Sequence, residues 1–173
     1  MGHKPRPRLE GYWPMPTLAQ YGDPRVSDGF GRTKRKGKGH LGVDIMYRRQ
    51  QRGDWDRPTS SPWYTCPKDT TVHAMATGDV FAVDERPNGY AIKIDHGYPF
   101  VTVYRHVFDP CVEVGEAIVA GEPIGLVGYD ERNPRPLRHL HFELWDYRRP
   151  GIKSRRNLSV DPGPYLRQLE YLR

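Results

Sequence analysis

The strongest constraint on this chain is a series of short alternating segments cut by glycine and proline. Residues 138–145 read Arg-His-Leu-His-Phe-Glu-Leu-Trp. That alternation has a period of two, the period of a strand. Residues 100–107 repeat it: Phe100, Thr102, Tyr104 and His106 share one face, and Val101, Val103, Arg105 and Val107 the other. Ile92 and Ile94 alternate with Lys93 and Asp95. Residues 112–128 break into short apolar pieces at Gly115, Gly121, Gly125 and Gly128. With Gly 18 and Pro 17 in 173 residues, turn formers are too frequent for a helical bundle. The pattern predicts an all-β domain, with helix only in the C-terminal stretch 164–173.

The organisation follows from the same punctuation. Residues 1–27 hold five prolines around Tyr12 and Trp13, which predicts an arm packed on the domain by its aromatics. Residues 28–173 form the domain proper. A loop at about 48–68, with Trp55, Trp63 and Tyr64 among alternating charges and three prolines, reads as an insertion. The formal charge is +6, and hydrophobic residues make up 36% of the chain. Basic residues cluster at 32–38, 132–138 and 148–156, but no nucleic-acid motif accompanies them, so no nucleic-acid partner is expected. No apolar run is long enough for a membrane-spanning helix. The opening Met-Gly-His-Lys-Pro-Arg-Pro-Arg lacks the apolar stretch of a secretory signal. Cys66 and Cys111 form no Cys-x-x-Cys pair and are expected to be two buried thiols.

Two short motifs carry metal chemistry. In a strand, His139, His141 and Glu143 share one side, while Leu140, Phe142 and Leu144 pack into the core. The two imidazoles then stand on an open face and suit a zinc ion. His40 and Asp44 lie four residues apart, which also returns to one face. Adding either His139 or His141 gives three protein ligands and an open fourth position, the catalytic zinc pattern. His106 lies on the predicted face of Tyr104. His3, His73 and His96 are given no catalytic role.

In order, His40-Leu-Gly-Val-Asp44, Gly78-Asp-Val80, Ile94-Asp-His-Gly97, Thr102-Val-Tyr-Arg-His106, Val114-Gly-Glu116, the 121–128 run and His139-Leu-His-Phe-Glu143 resemble the lysostaphin/LytM-type zinc endopeptidases of bacterial peptidoglycan. The resemblance runs from about Asp28 to Leu166. It implies an antiparallel sheet forming the floor of a groove, with one zinc per chain held by His40, Asp44 and His141. It also implies that His106 and His139 flank the bound water and the scissile carbonyl. Glu143 would orient an imidazole from behind. The implied substrate is the stem or cross-link peptide of peptidoglycan, whose anionic groups suit a basic surface. With no export signal expected, release by lysis or carriage on a phage particle, in contact with tail or virion proteins, would deliver the enzyme. The alternative is a wall-binding or structural tail protein that keeps the fold and metal without cleaving. Two segments depart from the family pattern. Asn133-Pro-Arg-Pro-Leu-Arg138 replaces a Gly/Ser/Thr-rich turn, and the 48–68 loop is longer than usual.

Overall fold

A computed structural model describes residues 10–31, 33–34, 38–49, 63–129, 137–148 and 158–173. The start of the arm with His3, most of the 48–68 loop with Trp55, and most of the three basic clusters lie outside the described residues.

The described chain is mostly strand. In order these are β1 (Pro24–Asp28), β2 (Thr33–Lys34), β3 (Lys38–Gly39), β4 (Val43–Arg48), β5 (Tyr64–Thr65), β6 (Thr71–His73), β7 (Gly78–Arg86), β8 (Gly89–Asp95), β9 (Phe100–Phe108), β10 (Ala117–Ile118), β11 (Pro123–Val127), β12 (Leu140–Asp146) and β13 (Ser159–Val160). One helix, α1 (Gly163–Leu166), closes the list. The main sheet runs β1-β4-β12-β9-β8-β7-β10, with β11 joining β9 to β6, β5 on β4 and β13 on β12. Every strand pairing is antiparallel, as the short alternating segments predicted.

The alternation decides which face is core. Leu140, Phe142 and Leu144 of β12, Ile92 and Ile94 of β8, Tyr104 of β9 and Ile45 of β4 all enter one apolar cluster. The phenol of Tyr104 is satisfied inside it, because Met75 N–H donates to Tyr104 Oη at 2.7 Å. The opposite face, expected to be open, is largely closed: β12 is buried along its whole length. Val101, Val103, Trp145 and Leu158 form a second, small apolar cluster there.

The described part of the arm packs as its aromatics predicted. Trp13 and Met15 are buried, and Trp13 stacks on Tyr171 with ring centroids 5.1 Å apart. This packing also shortens the predicted C-terminal helix to four residues. Trp13 N–H donates to Glu170 O at 2.8 Å and Glu170 N–H donates to Gly11 O at 3.3 Å, so the tail pairs with the arm instead of with itself. Both cysteines are free; Cys66 is buried as expected, but Cys111 is exposed.

Candidate metal centre

The centre is built where β4 and β12 pair. His141 lies opposite Asp44 in the register, and both side chains leave the sheet on the face away from the main core. His40 stands just before β4, its backbone held by Gly31 N–H donating to His40 O at 2.8 Å. Gly42 lets the two strands close. A Cβ there would lie 2.2 Å from Phe142 O and 2.9 Å from Glu143 Cγ.

Three ligand-type atoms converge at this crossing. His40 Nε2 lies 2.9 Å from His141 Nδ1 and 3.1 Å from Asp44 Oδ1, and His141 Nδ1 lies 3.0 Å from Asp44 Oδ1. His40, Asp44 and His141 are all buried and form one potential metal-holding group among the described residues. The outer nitrogens define the inner ones. His40 Nδ1 faces Gly29 O at 3.0 Å and His141 Nε2 faces a Glu143 oxygen at 3.0 Å. Both partners only accept, so each outer nitrogen carries the hydrogen and each inner nitrogen presents a lone pair. Two lone pairs and a carboxylate then face one another, an arrangement that needs a cation at its centre. Tetrahedral zinc, with bonds of about 2.0–2.1 Å, places its ligand atoms about 3.3 Å apart. The observed spacing is slightly tighter and the donor types match, so the residues fit the ion.

The electrostatics agree with this. Burial alone would raise the Asp44 carboxyl, but a proton shared with the inner nitrogen of His141 or His40 beside it outweighs this and holds the carboxyl well below the usual carboxylate range. Burial would lower His141, yet its bonds to Asp44 and Glu143 raise it overall. A proton and a metal ion therefore compete for His141 Nδ1.

Glu143 anchors this arrangement from behind. It is fully buried. One oxygen accepts from His141 Nε2 and from Arg105 Nε at 2.9 Å, and the other accepts from Trp145 Nε1 at 3.0 Å. Glu143 is therefore charged, paired and in contact with a metal-type ligand. Sequence reasoning missed Arg105 and Trp145. The period-two alternation already places Trp145 on the face of Glu143. Arg105 needs the pairing of β12 with β9, which sets it opposite His141.

His106 and His139 flank the trio. Their rings lie 4.7 Å apart, and the His106 ring is 6.2 Å from that of His141. His139 Nδ1–H donates to Leu137 O at 2.6 Å, which leaves the lone pair on Nε2, 3.8 Å from Asp44 Oδ1. His106 corrects an expectation. Plain alternation places it with Tyr104, on the core face. Instead it adopts φ 60° at a β-bulge, where Tyr90 and Ala91 of β8 pair with Val107 and Arg105 and skip it. The extra residue turns the imidazole toward His139 and returns Val107 to the core. Asn88 flanks it, with its amide nitrogen 3.1 Å and its backbone oxygen 3.2 Å from His106 Nδ1. Burial first, then the neighbouring His139, pushes His106 down to about 3. It is neutral at pH 7.

The other described histidines are structural. His73 Nδ1–H donates to Gly121 O at 2.8 Å, and His96 Nδ1–H donates to Thr77 O at 2.8 Å. Arg138, at the end of the basic cluster 132–138, is buried, its guanidinium 5.7 Å from the Tyr129 ring centre.

Comparison with known proteins follows the same lines. The chain is 32% identical over 110 residues to the peptidoglycan DD-endopeptidase ShyA of Vibrio cholerae, covering 62% of this chain and 23% of that protein. It is 32% identical over 98 residues to the murein hydrolase activator EnvC of Escherichia coli, covering 56% of this chain and 21% of that protein. It thus spans under a quarter of the length of these curated relatives. Among solved structures, the catalytic domain of lysostaphin from Staphylococcus simulans superposes with a TM-score of 0.60 at 22% identity, covering 83% of this chain and 92% of that one. This likeness carries the fold: the antiparallel sheet is of the lysostaphin/LytM type. A family model matches residues 61–157, more than half of the chain. The match contains His106, His139 and His141 and starts after His40 and Asp44, which the pairing of β4 with β12 adds. By this match the chain belongs to peptidase family M23.

Proposed function

We propose that this protein is a zinc-dependent endopeptidase that hydrolyses peptide bonds in the cross-links of bacterial peptidoglycan. The observation that carries the reading is the trio of His40, Asp44 and His141, whose inner atoms are all acceptors 2.9–3.1 Å apart. The names of the relatives, a peptidoglycan endopeptidase and a murein hydrolase activator, support the substrate class. Action on the wall, in the periplasm or outside the cell, goes with that substrate. The relatives named here are bacterial, and phage carriage gains no support from them. The catalytic unit is proposed to span residues 28–173, preceded by the 1–27 arm and carrying an inserted loop at about 48–68.

Zinc with three protein ligands and an open position polarises a carbonyl and lowers the pKa of water toward about 7. His139 is placed to take a proton, because its Nδ1–H is committed to Leu137 O and its Nε2 faces the trio. His106, held neutral by burial, supplies a hydrogen-bonding nitrogen beside it and adds no positive charge that would repel the cation. Glu143 keeps the proton of His141 on Nε2, which leaves Nδ1 free to bind metal.

The test is zinc content together with separation of muropeptides before and after digestion, on wild type and His141→Ala. One zinc per chain and new free amines from wild type, both lost in the variant, are expected. Zinc without cleavage of any wall tested overturns the reading. A second reading rests on the similarity to EnvC, named as a hydrolase activator. In it the protein binds the wall, cleaves nothing alone and accelerates a separate hydrolase.

A further inference from the structure

The turn from β7 to β8 reads Pro87-Asn88-Gly89 and packs against the bulge that turns His106 out of the core. Gly89, at φ 92°, makes the close fit possible. A Cβ there would lie 2.7 Å from Phe108 Cε2 and 2.8 Å from Val107 O. Asn88 is thereby held at one edge of the His106 ring. Its side-chain amide nitrogen is 3.1 Å and its backbone oxygen 3.2 Å from the same atom, His106 Nδ1.

These two contacts ask for opposite hydrogens. An amide NH2 only donates and a carbonyl oxygen only accepts. His106 is neutral at pH 7 and carries one ring hydrogen. If Nδ1 accepts from the Asn88 amide, the hydrogen sits on Nε2. If Nδ1 donates to Asn88 O, Nε2 is left with a bare lone pair.

The neighbouring groups choose between the two. The inner atoms of the site are acceptors: His40 Nε2, Asp44 Oδ1 and His141 Nδ1 in the trio, and His139 Nε2, on a ring 4.7 Å from that of His106. A lone pair on His106 Nε2 would add one more acceptor to this group, whereas a hydrogen there supplies a donor. The backbone oxygen is present whatever residue stands at 88, and by itself it draws the hydrogen to Nδ1. The side-chain amide counters it.

We propose that Asn88 is a positioning residue: its side-chain amide keeps the hydrogen of His106 on Nε2, so that His106 donates to the carbonyl oxygen of the substrate while His139 takes the proton. The proposal rests on the endopeptidase reading above and divides the work between its two histidines. As water adds to the carbonyl carbon, the C=O electron pair moves onto oxygen, and the bond from His106 Nε2–H to that oxygen strengthens without proton transfer. The proton of the water passes to His139 Nε2 and then to the amine nitrogen as the C–N bond breaks, so both histidines end as they began.

The test reads the hydrogen and the chemistry separately. Long-range proton–nitrogen NMR of histidine-labelled protein, at about pH 8 and with zinc added, reports which nitrogen of each ring carries hydrogen. The His106 signal is identified by its loss in His106→Asn. Wild type is expected to carry the hydrogen on Nε2. Asn88→Ala leaves the backbone oxygen alone, and Asn88→Asp keeps the shape but offers only acceptors; in both, the hydrogen is expected on Nδ1. Both variants should keep wild-type zinc content and melting temperature. On a cross-linked peptide, kcat should fall about 10–100-fold with KM unchanged. A hydrogen on His106 Nδ1 in wild type overturns the proposal. So does a loss of kcat in variants whose His106 still carries Nε2–H, because Asn88 then acts only on structure, and so does a moved hydrogen with kcat unchanged. If the hydrogen moves as expected but wild type cleaves no wall peptide, the control of His106 by Asn88 stands and the endopeptidase reading fails.

Discussion

Glu143 is wholly buried and charged, and it is tolerated because three donors reach its two oxygens. Its removal should therefore act on both metal binding and stability, and the two can be separated. Glu143→Gln keeps the shape and removes the charge that holds the proton on His141 Nε2. Zinc affinity should fall about 10–100-fold, measured by competition with a chromophoric chelator. Arg105→Ala instead leaves the carboxylate buried with one partner fewer. It should cost roughly 3 kcal/mol of stability, measured by denaturant unfolding with zinc present. At His106 the backbone asks for a residue that accepts φ 60°. His106→Asn meets that demand and lacks the imidazole. It should fold with a melting temperature close to wild type while cleavage of the wall falls at least about 100-fold.

At the scale of elements, the pairing of β4 with β12 makes the centre, and Gly42 sets their separation. Gly42→Ala places a methyl group 2.2 Å from a backbone oxygen of β12, which a side-chain movement cannot relieve. The strands must part. We expect a loss of about 1–3 kcal/mol in stability, together with weaker zinc binding, read from one chemical unfolding series with and without metal. The face assignment of β12 was legible in the sequence, because alternation alone puts Leu140, Phe142 and Leu144 inward. The bulge in β9 was not. Nothing in Tyr-Arg-His-Val marks the extra residue, since it is produced by the register against β8. The C-terminal helix is cut short at Leu166 for a similar reason: the tail has helical propensity, but hydrogen bonds to the arm are available only once both ends have packed.

For the molecule as a whole, several buried neutral groups set the pH range of stability. His73, His96 and His106 are all lowered by burial, His106 to about 3. Each binds protons more readily when unfolded, so protonation favours the unfolded chain. Their contribution is complete above about pH 6.5 and is lost as pH falls from there toward the folded values. On the alkaline side, burial pushes Cys66 up to about 12 and Tyr104 up to about 12. The unfolded chain ionises these first, so stability falls as pH rises above about 9–10. Melting temperature against pH should therefore show a plateau between about 6.5 and 9. If the proposed zinc is held by His40, Asp44 and His141, a chelator should lower the plateau, because such an ion would bind the folded chain and not the separated ligands.

The sequence by itself determined the strand class, the inward faces of β8 and β12, and five polar residues grouped as His40 with Asp44, His106, and His139 with His141. These are local properties: side-chain periodicity and turn chemistry act over a few residues. Tertiary structure alone decided that Asp44 and His141, 97 positions apart, stand opposite each other. It alone brought Arg105 to Glu143, turned His106 out of the core and set Asn88 against its Nδ1. Register between strands distant in sequence is fixed by the packing of the whole core, and no short stretch of residues encodes it.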